Sequence, residues 1–169
     1  GSPAVYTYLD RLGRTVRQST TDFNQQPIDS ITQYDHNGRV ERQAHRANGV
    51  ETGHVTFSQF DLLGRPRTKR VAYAPQDYEV TYHYQGLTTN LTITAKGSKD
   101  ANKTRTISRT VNSGGSLVTS IDEANNPTKY RYNAGGLPSI IQGPTGTQTT
   151  ANYNAFGHKL GMSDPNQST

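Results

Sequence analysis

The sequence predicts an all-β protein: tandem antiparallel β-hairpin repeats that form a curved, twisted sheet. Three observations predict this fold class. A short turn motif recurs along the chain of 169 residues. The stretches between its copies are rich in Val, Ile, Thr and Tyr, which favour strands. No window shows the i, i+3, i+4, i+7 apolar spacing of a helix. Because only 30% of the residues are hydrophobic, we expect a thin sheet without a thick apolar core.

The turn motif is an Asp or Asn that is followed three positions later by Gly. It occurs six times, and a degenerate copy at Gln85-Gly86, which has lost its Asp, fills the one long interval. Successive copies begin about 21 to 27 residues apart, and such regular spacing is typical of a repeat protein. The predicted structural turn residues are Asp10 and Gly13, Asp35 and Gly38, Asp61 and Gly64, Asn112 and Gly115, Asn133 and Gly136, and Asn154 and Gly157.

The chemistry of these residues explains why a turn needs them. The Asp or Asn side chain can accept a hydrogen bond from the backbone N–H two residues further on and so close an Asx-turn. The glycine can adopt a positive φ at no steric cost, which lets the next strand leave in the return direction. Each copy therefore predicts one hairpin, and a hairpin must pair with its neighbours to bury a face.

The residue before each turn is apolar or aromatic. Since it ends the incoming strand, we expect its side chain to pack inward. The predicted packing residues are Tyr34, Phe60, Tyr84, Tyr132 and Tyr153, together with Leu9 and Val111, where an aromatic residue is missing.

An arginine follows the glycine directly in the first three copies: Arg14, Arg39 and Arg65. We expect their stems to lie over neighbouring rings and their charged heads to stand in solvent. Stacked hairpins would then align them in a row at one rim of the sheet. This row is a candidate contact for an anionic surface or a glycan.

A second set of turn-forming segments lies midway between the copies and predicts a second turn class. Together the two sets predict about fourteen short strands in seven hairpins. In "TKYRY", Tyr130 and Tyr132 should share one face and Lys129 and Arg131 the other. The second set comprises residues 22–27, 47–53, 74–77, 96–103, 122–127, 143–146 and 164–166.

The recurring segments "QYDHNGR", "QFDLLGR", "YRYNAGG" and "NYNAFG" resemble the YD repeat, also called the RHS repeat. The resemblance covers essentially the whole chain. In that family the repeats form β-hairpin strips that spiral into a hollow shell, which in bacterial Rhs toxins and in the B and C subunits of Tc toxins encloses a C-terminal toxic domain. The related barrel of teneurins serves cell adhesion. The resemblance implies a section of shell wall in a secreted or bacterial cell-surface protein, whose partners are the rest of the shell and a C-terminal toxin domain.

The residues point away from catalysis, cofactors and metals. No Gly-x-Ser-x-Gly elbow occurs, cysteine is absent and the five histidines are scattered. The segment at 122–126, "DEANN", is the richest cluster of oxygen ligands, but a turn held by its own side chain explains it better than calcium does. The formal charge of +5 is moderate and does not call for nucleic acid. No apolar run reaches the length of a membrane span.

The expected domain organisation is simple. We interpret residues 1–3, "GSP", as a cloning scar and residues 4–169 as a single array of about seven hairpin repeats from a longer protein. Its function is predicted to be structural, with glycan or polyanion binding by the arginine row as the alternative. A short array has two sheet edges, so edge-to-edge self-association is also expected.

Overall fold

A computed structural model describes residues 3–96 and 102–165, apart from the side chain of residue 76. Over these residues the protein is all-β, with fourteen antiparallel strands in one open sheet whose strand order follows the chain. The described residues contain no helix, and none of their segments therefore has the helical length and apolar character that a membrane span needs. The fold class predicted from the sequence is confirmed.

The strands are short, and tight turns join them wherever the connecting residues are described. They are β1 (Tyr6–Leu9), β2 (Thr15–Thr21), β3 (Pro27–Tyr34), β4 (Val40–Ala47), β5 (Val50–Phe60), β6 (Pro66–Tyr73), β7 (Gln76–Gln85), β8 (Thr88–Ala95), β9 (Thr104–Val111), β10 (Leu117–Ile121), β11 (Pro127–Tyr132), β12 (Pro138–Gln142), β13 (Gln148–Tyr153) and β14 (Lys159–Ser163).

The chain divides into two compact units. The N-terminal unit comprises Gly1–Tyr82 and Ile93–Thr104, and the C-terminal unit comprises His83–Thr92 and Arg105–Thr169. Within each unit consecutive strands pair antiparallel, for example β3 with β4 and β12 with β13. Register shifts, typical of β-bulges, occur beside several of the predicted turns, such as the one after Gln33. Such bulges bend a strand and increase its twist.

The core is thin, as the composition predicts. Among the described residues of the N-terminal unit, the buried hydrophobic side chains are those of Ala44, Val71 and Val80, with exposed fractions of 1%, 7% and 6%. Val71 lies opposite Val55 on β5 and Tyr78 on β7. No described residue of the C-terminal unit is fully buried. Stability must therefore come largely from strand pairing and from contacts between neighbouring hairpins.

The alternation along β11 separates its two faces. Lys129 and Arg131 are exposed, whereas Tyr130 and Tyr132 are half-buried. Period-two alternation in a strand produces this division because successive side chains point to opposite sides of the sheet.

Candidate functional site

The recurring Asp/Asn-x-x-Gly segments lie at tight turns between paired strands. In the turn that begins at Asp35, Oδ1 accepts hydrogen bonds from the backbone N–H groups of Asn37 and Arg39, both at 2.9 Å. The N–H of Gly38 donates to the carbonyl of Asp35 at 2.9 Å. Gly38 has a φ of +80°, a conformation that L residues adopt at a cost. One carboxylate oxygen therefore organises the whole turn.

The other five copies repeat this geometry. In all six, the N–H of the first residue donates to the carbonyl of the residue after the glycine, at distances of 2.8–3.0 Å. Each first residue accepts the N–H of that same residue on Oδ1. The glycines of the other five copies have φ values of +76° to +82°: Gly13, Gly64, Gly115, Gly136 and Gly157.

The second carboxylate oxygen of the first three copies binds the arginine that follows the glycine. Oδ2 of Asp35 accepts from Nε of Arg39 at 2.7 Å and lies 2.7 Å from Nη2. Asp10 with Arg14 and Asp61 with Arg65 form the same two contacts at 2.7–2.8 Å. Two-point pairing of this kind fixes the guanidinium plane as well as its position.

These contacts lower the pKa of the carboxylates below the ordinary value of 3.8. For Asp10 the backbone N–H of Arg14 is the largest cause. Partial burial would raise the pKa of Asp35 and Asp61, but the bonds from the backbone and side chain of the paired arginine outweigh it. All three carboxylates are therefore ionised at neutral pH.

Each of the first two guanidinium groups also stacks on the aromatic residue of the next repeat. Cζ of Arg14 lies 4.2 Å from the ring centre of Tyr34, and Cζ of Arg39 lies 4.1 Å from that of Phe60. A Cβ added at Gly38 would lie 3.1 Å from Nη1 of Arg14, so the same guanidinium also abuts the next turn. We call this Asp–Arg–ring arrangement the turn link.

The turn link corrects the expectation that the arginine heads stand in solvent. The side chains of Arg14, Arg39 and Arg65 are 31%, 29% and 41% exposed, and each head is held by the aspartate of its own turn. The physical reason is proximity: the turn places Oδ2 within reach of the guanidinium. The three arginines therefore form a row of ion pairs rather than a row of free positive charges.

Tyrosine hydroxyls join the repeats in the opposite direction. Three of the predicted packing residues donate from Oη to a backbone carbonyl of the preceding repeat, always two positions after its glycine. The pairs are Tyr34 with Thr15 at 3.0 Å, Tyr132 with Leu117 at 2.7 Å and Tyr153 with Pro138 at 2.9 Å. We call these bonds the hydroxyl tethers. They explain why Tyr is the preferred residue before the turn.

The remaining packing positions differ from this pattern. Phe60 and Tyr84 are half-buried, and Phe60 has no hydroxyl to donate. Leu9 was expected to pack inward, but it is 59% exposed; it lies on β1, the first of the described strands. Val111 is half-buried, and its N–H donates to the carbonyl of Leu87, which follows Gly86 in the two-residue loop between β7 and β8.

The three Asn-x-x-Gly turns, which lie in the C-terminal unit, keep the contact of Oδ1 and lack the carboxylate–arginine contact. Oδ1 of Asn133 accepts from the N–H of Leu137, and Oδ1 of Asn154 accepts from the N–H of His158, both at 2.9 Å. Leu137 occupies the arginine position, and its Cδ1 lies 3.4 Å from where a Cβ on Gly157 would be. A shallow groove remains between these two consecutive turns, with Phe156 at its rim.

Three turns of the second set share the geometry of the first, so the predicted division into two turn classes is wrong for them. Oδ1 of Asp22 accepts from Asn24 and Gln26, as in the Asx-turns above. The left-handed position is filled by Gln25, Asn125 and Gly146, with φ values of +61°, +62° and +86°. The motif misses two of these turns because Gln25 and Asn125 stand where it requires Gly, and it misses the third because Gly143 stands where it requires Asp or Asn.

Two other turns of the second set are distinct. Asn48 and Gly49, with φ values of +50° and +76°, connect β4 to β5, and a cis bond joins Ala74 to Pro75 between β6 and β7. The turn predicted over 96–103 lies mostly outside the described residues, as does the end of the one predicted over 164–166.

The oxygen-rich segment at 122–126 uses its carboxylate within the turn. Oδ1 of Asp122 accepts from the N–H groups of Ala124 and Asn126, and Oδ2 accepts from Nδ2 of Asn126. The backbone N–H of Asn126 is the largest cause of the lowered pKa of Asp122. Across residues 3–96 and 102–165, no group of three or more His, Asp or Glu side chains is arranged to hold a metal ion.

Comparisons with known proteins give a remote structural likeness only. No family model matches the chain, and no curated protein matches it. A crystal structure of TcdB2-TccC3 without its hypervariable C-terminal region aligns over 98% of this chain and 12% of that chain, with 14% identity and a TM-score of 0.39. A structure of TcdB2-TccC3-Cdc42 aligns over 96% of this chain and 13% of that chain, with 12% identity and the same TM-score. The chain thus spans about an eighth of each, and a likeness this low assigns no function.

Proposed function

We propose that this chain is a structural repeat segment: part of the wall of a larger YD/RHS-type shell, without catalytic activity of its own. One observation carries the proposal. Neighbouring hairpins are joined by contacts that recur at equivalent positions. In a turn link, an arginine lies over the aromatic ring of the next repeat. In a hydroxyl tether, a tyrosine donates to a backbone carbonyl of the preceding repeat. Contacts that recur at equivalent positions of several repeats serve to position hairpins rather than to bind a single ligand.

The turn links would give such a wall a fixed spacing between hairpins. The guanidinium groups of Arg14 and Arg39 are each held by two contacts to their own aspartate and lie against the ring of the next repeat, so their positions are defined on both sides. A cation over an aromatic ring contributes about 0.5–1 kcal/mol at an exposed site. Summed over many repeats, small equal contributions stabilise an array that has almost no buried core.

The state of the carboxylates supports a non-catalytic role. A general acid or base for neutral pH needs a pKa near the working pH. The carboxylates of Asp10, Asp35 and Asp61 have pKa values shifted the other way, and each is bound within its own turn. These carboxylates are suited to stabilising a turn rather than to transferring protons.

The context of the wall comes from the motif resemblance in the sequence. It suggests that the parent protein is secreted or displayed on a bacterial surface, and that its shell encloses a C-terminal toxin domain. We expect the parent coding sequence to continue with further Asx-x-x-Gly copies about 21–27 residues apart. Flanking sequence without such copies would contradict the shell proposal.

Glycan or polyanion binding by the arginine row is the weaker candidate, because each arginine of the row is already paired with a carboxylate. A charge-matched comparison tests it. The triple variant Arg14/Arg39/Arg65→Gln and the control Arg11/Arg67/Arg105→Gln, whose three arginines are exposed, remove equal charge. On a heparin column we expect both variants to elute together at low salt, with only the first variant less stable to urea.

The binding candidate would replace the scaffold proposal under one result. If the Arg14/Arg39/Arg65→Gln variant alone loses retention on heparin, or alone loses signal on a glycan array while still folded by circular dichroism, the row is a binding site. Equal elution of both variants supports the structural role.

A further inference from the structure

Polar side chains of the C-terminal unit come together on one face of its paired strands. Residues that lie opposite each other in register point to the same side of a sheet. Two such rows cross the strands on the side of Lys129 and Arg131. The first row comprises Thr110, Thr119, Lys129, Gln142 and Gln148, and the second comprises Arg131, Ile140, Thr150 and Ser163. We call these residues the cation face.

The two cations of this face have no carboxylate beside them. Strands β9 to β14 contain no Asp or Glu. The acidic residues of the unit lie in the turn between β10 and β11, at Asp122 and Glu123, and after β14, at Asp164. Lys129 and Arg131 are exposed, and no described residue forms an ion pair with either of them. The cation face therefore presents positive charge that the described residues do not neutralise.

The strands of the N-terminal unit show the opposite arrangement. There, basic residues bind acidic residues of the neighbouring strand. The pairs are Arg17 with Asp29 at 3.0 Å, Arg42 with Glu51 at 2.6 Å and Arg70 with Asp77 at 2.9 Å. Lys129 and Arg131 also lie within a strand, but without such a partner, so an anion from outside the chain can bind them.

We propose that the cation face binds an acidic polysaccharide, a polymer of uronic acid sugars. Lys129 and Arg131 would bind the sugar carboxylates. The hydroxyl and amide groups of Thr119, Gln142 and Thr150 would exchange hydrogen bonds with the sugar hydroxyls. Because neighbouring strands are about 4.8 Å apart, the first row presents polar groups across roughly 19 Å, which suits an extended polymer. The site is separate from the arginine row, and the inference does not depend on whether the parent protein forms a shell.

Two other kinds of polyanion fit the cation face less well. A single-stranded nucleic acid is held by bases that stack on aromatic rings, but neither row contains an aromatic residue. Tyr130 and Tyr132 point to the opposite side of β11. An acidic peptide adds to a sheet through its edge, whereas the cation face lies across paired strands. Sugar hydroxyls need many donors and acceptors on an open surface, and the two rows supply them.

Two variants of equal charge test the role of the cations. Lys129→Gln with Arg131→Gln removes two charges from the cation face. Arg105→Gln with Arg109→Gln removes two charges from the opposite face of the same unit, since Arg109 lies opposite Ser120 and not opposite a residue of the cation face. The first variant should bind polygalacturonate about fivefold more weakly than the wild type, and the second should bind like the wild type. All four substituted residues are exposed, and circular dichroism checks that both variants are folded.

Two neighbouring threonines of β13 test the hydrogen bonds. Thr150 belongs to the cation face, whereas Thr149 lies opposite Ile141 and points to the other side of the sheet. Both are half-buried. Thr150→Val removes a hydroxyl that the sugar would use and should weaken binding of polygalacturonate about threefold. Thr149→Val makes the same change and should leave binding unchanged.

Isothermal titration calorimetry at low salt gives the readout, with polygalacturonate, its methyl ester, polyglutamate and oligothymidylate as the four ligands. The proposal is supported by binding of polygalacturonate and not of the ester, with losses confined to the variants of the cation face. It is overturned by no binding at millimolar uronate, by equal binding of the ester, by equal effects within either pair of variants, or by tighter binding of polyglutamate or oligothymidylate.

Discussion

The turns of the N-terminal unit and those of the C-terminal unit share one contact and differ in another. The six Asp/Asn-x-x-Gly turns all use Oδ1 of the first residue to hold the backbone of the turn. Among these six, only the three that begin with Asp have a second side-chain oxygen, and only they have an arginine directly after the glycine. The three asparagines are followed by Ser116, Leu137 and His158.

The comparison separates two functions that one side chain can carry. Oδ1 holds the backbone of the turn. The second terminal atom of the side chain, Oδ2 in Asp or Nδ2 in Asn, decides whether the turn can also bind an arginine that contacts the next repeat. An asparagine presents Nδ2 there, a donor that cannot accept from a guanidinium. Among these six turns, the choice between Asp and Asn therefore distinguishes turns that pair with an arginine from turns that only reverse the chain.

The largest loss of stability is expected from substitution of the turn glycines. Gly38 and Gly136 have φ values of +80° and +76°, and a β-branched residue is strained in that conformation. Gly136→Val should lower the free energy of unfolding by about 1–2 kcal/mol. Gly38→Val should lower it further, because its Cβ would also displace the guanidinium of Arg14. Urea denaturation of both variants measures the difference; equal losses would mean that the turn link adds nothing at Gly38.

The second largest effect is expected from acid, which should destabilise the three aspartate turns and leave the asparagine turns unchanged. The pKa values of Asp10, Asp35 and Asp61 lie below 3.8 in the folded state. The stability that they contribute is therefore present above pH 3.8 and is lost as the pH falls through the folded-state values. The asparagine side chains that hold the other three turns are not ionisable. Hydrogen exchange resolved by peptide, between about pH 5 and pH 2, should show protection lost at 10–14, 35–39 and 61–65 but kept at 133–137 and 154–158.

An internal control accompanies the acid experiment. Asp122 also has a lowered pKa, so residues 122–126 of the C-terminal unit should respond to acid, whereas the asparagine turns beside them should not. In the variant Asp35→Asn the turn at 35–39 should lose its pH dependence and keep its fold. A uniform response across all turns would show that the links are not its source.

The hydroxyl tethers should each contribute a smaller amount. Tyr132→Phe removes the bond to the carbonyl of Leu117 and keeps the ring, so we expect a loss of about 1 kcal/mol in the free energy of unfolding. Tyr130→Phe is the matched control on the same strand. A tether that matters should make the first variant less stable than the second in urea.

The smallest expected effect is an increase in the free energy of unfolding. Phe60 stands where other repeats have Tyr, and the equivalent carbonyl of the preceding repeat is that of Val40. Phe60→Tyr supplies the missing donor and should raise the free energy of unfolding by about 0.5–1 kcal/mol, while Arg39 still lies over the ring. A thermal melt that falls instead would show that the hydroxyl has no acceptor there.

Much of the fold could be predicted from the sequence because it depends on residues that are close together along the chain. The Asp/Asn and Gly spacing places the turns, and the period-two alternation in "TKYRY" separates its faces. The repeat period then requires neighbouring hairpins to pair. The turns at 22–26 and 122–126 were assigned to a different class because Gln25 and Asn125 take the place of glycine, and a motif search based on Gly does not detect them.

The contacts between repeats could not be predicted because they depend on three-dimensional neighbours. No spacing in the sequence shows that the guanidinium of Arg14 lies on Tyr34, twenty residues further on, or that Tyr34 donates to Thr15. One signal was present in the sequence: arginine follows the glycine in every Asp-Gly copy and in none of the Asn-Gly copies. That association, considered as chemistry, points to a carboxylate–guanidinium pair.

The direction of the tethers has a consequence for biosynthesis. In every tether a tyrosine donates to the carbonyl of a residue that is synthesised before it. Each new hairpin can therefore bind to the sheet that has already folded as soon as the hairpin leaves the ribosome. Growth from the N terminus would then need no distant partner, and a nascent chain could fold hairpin by hairpin behind the point of synthesis.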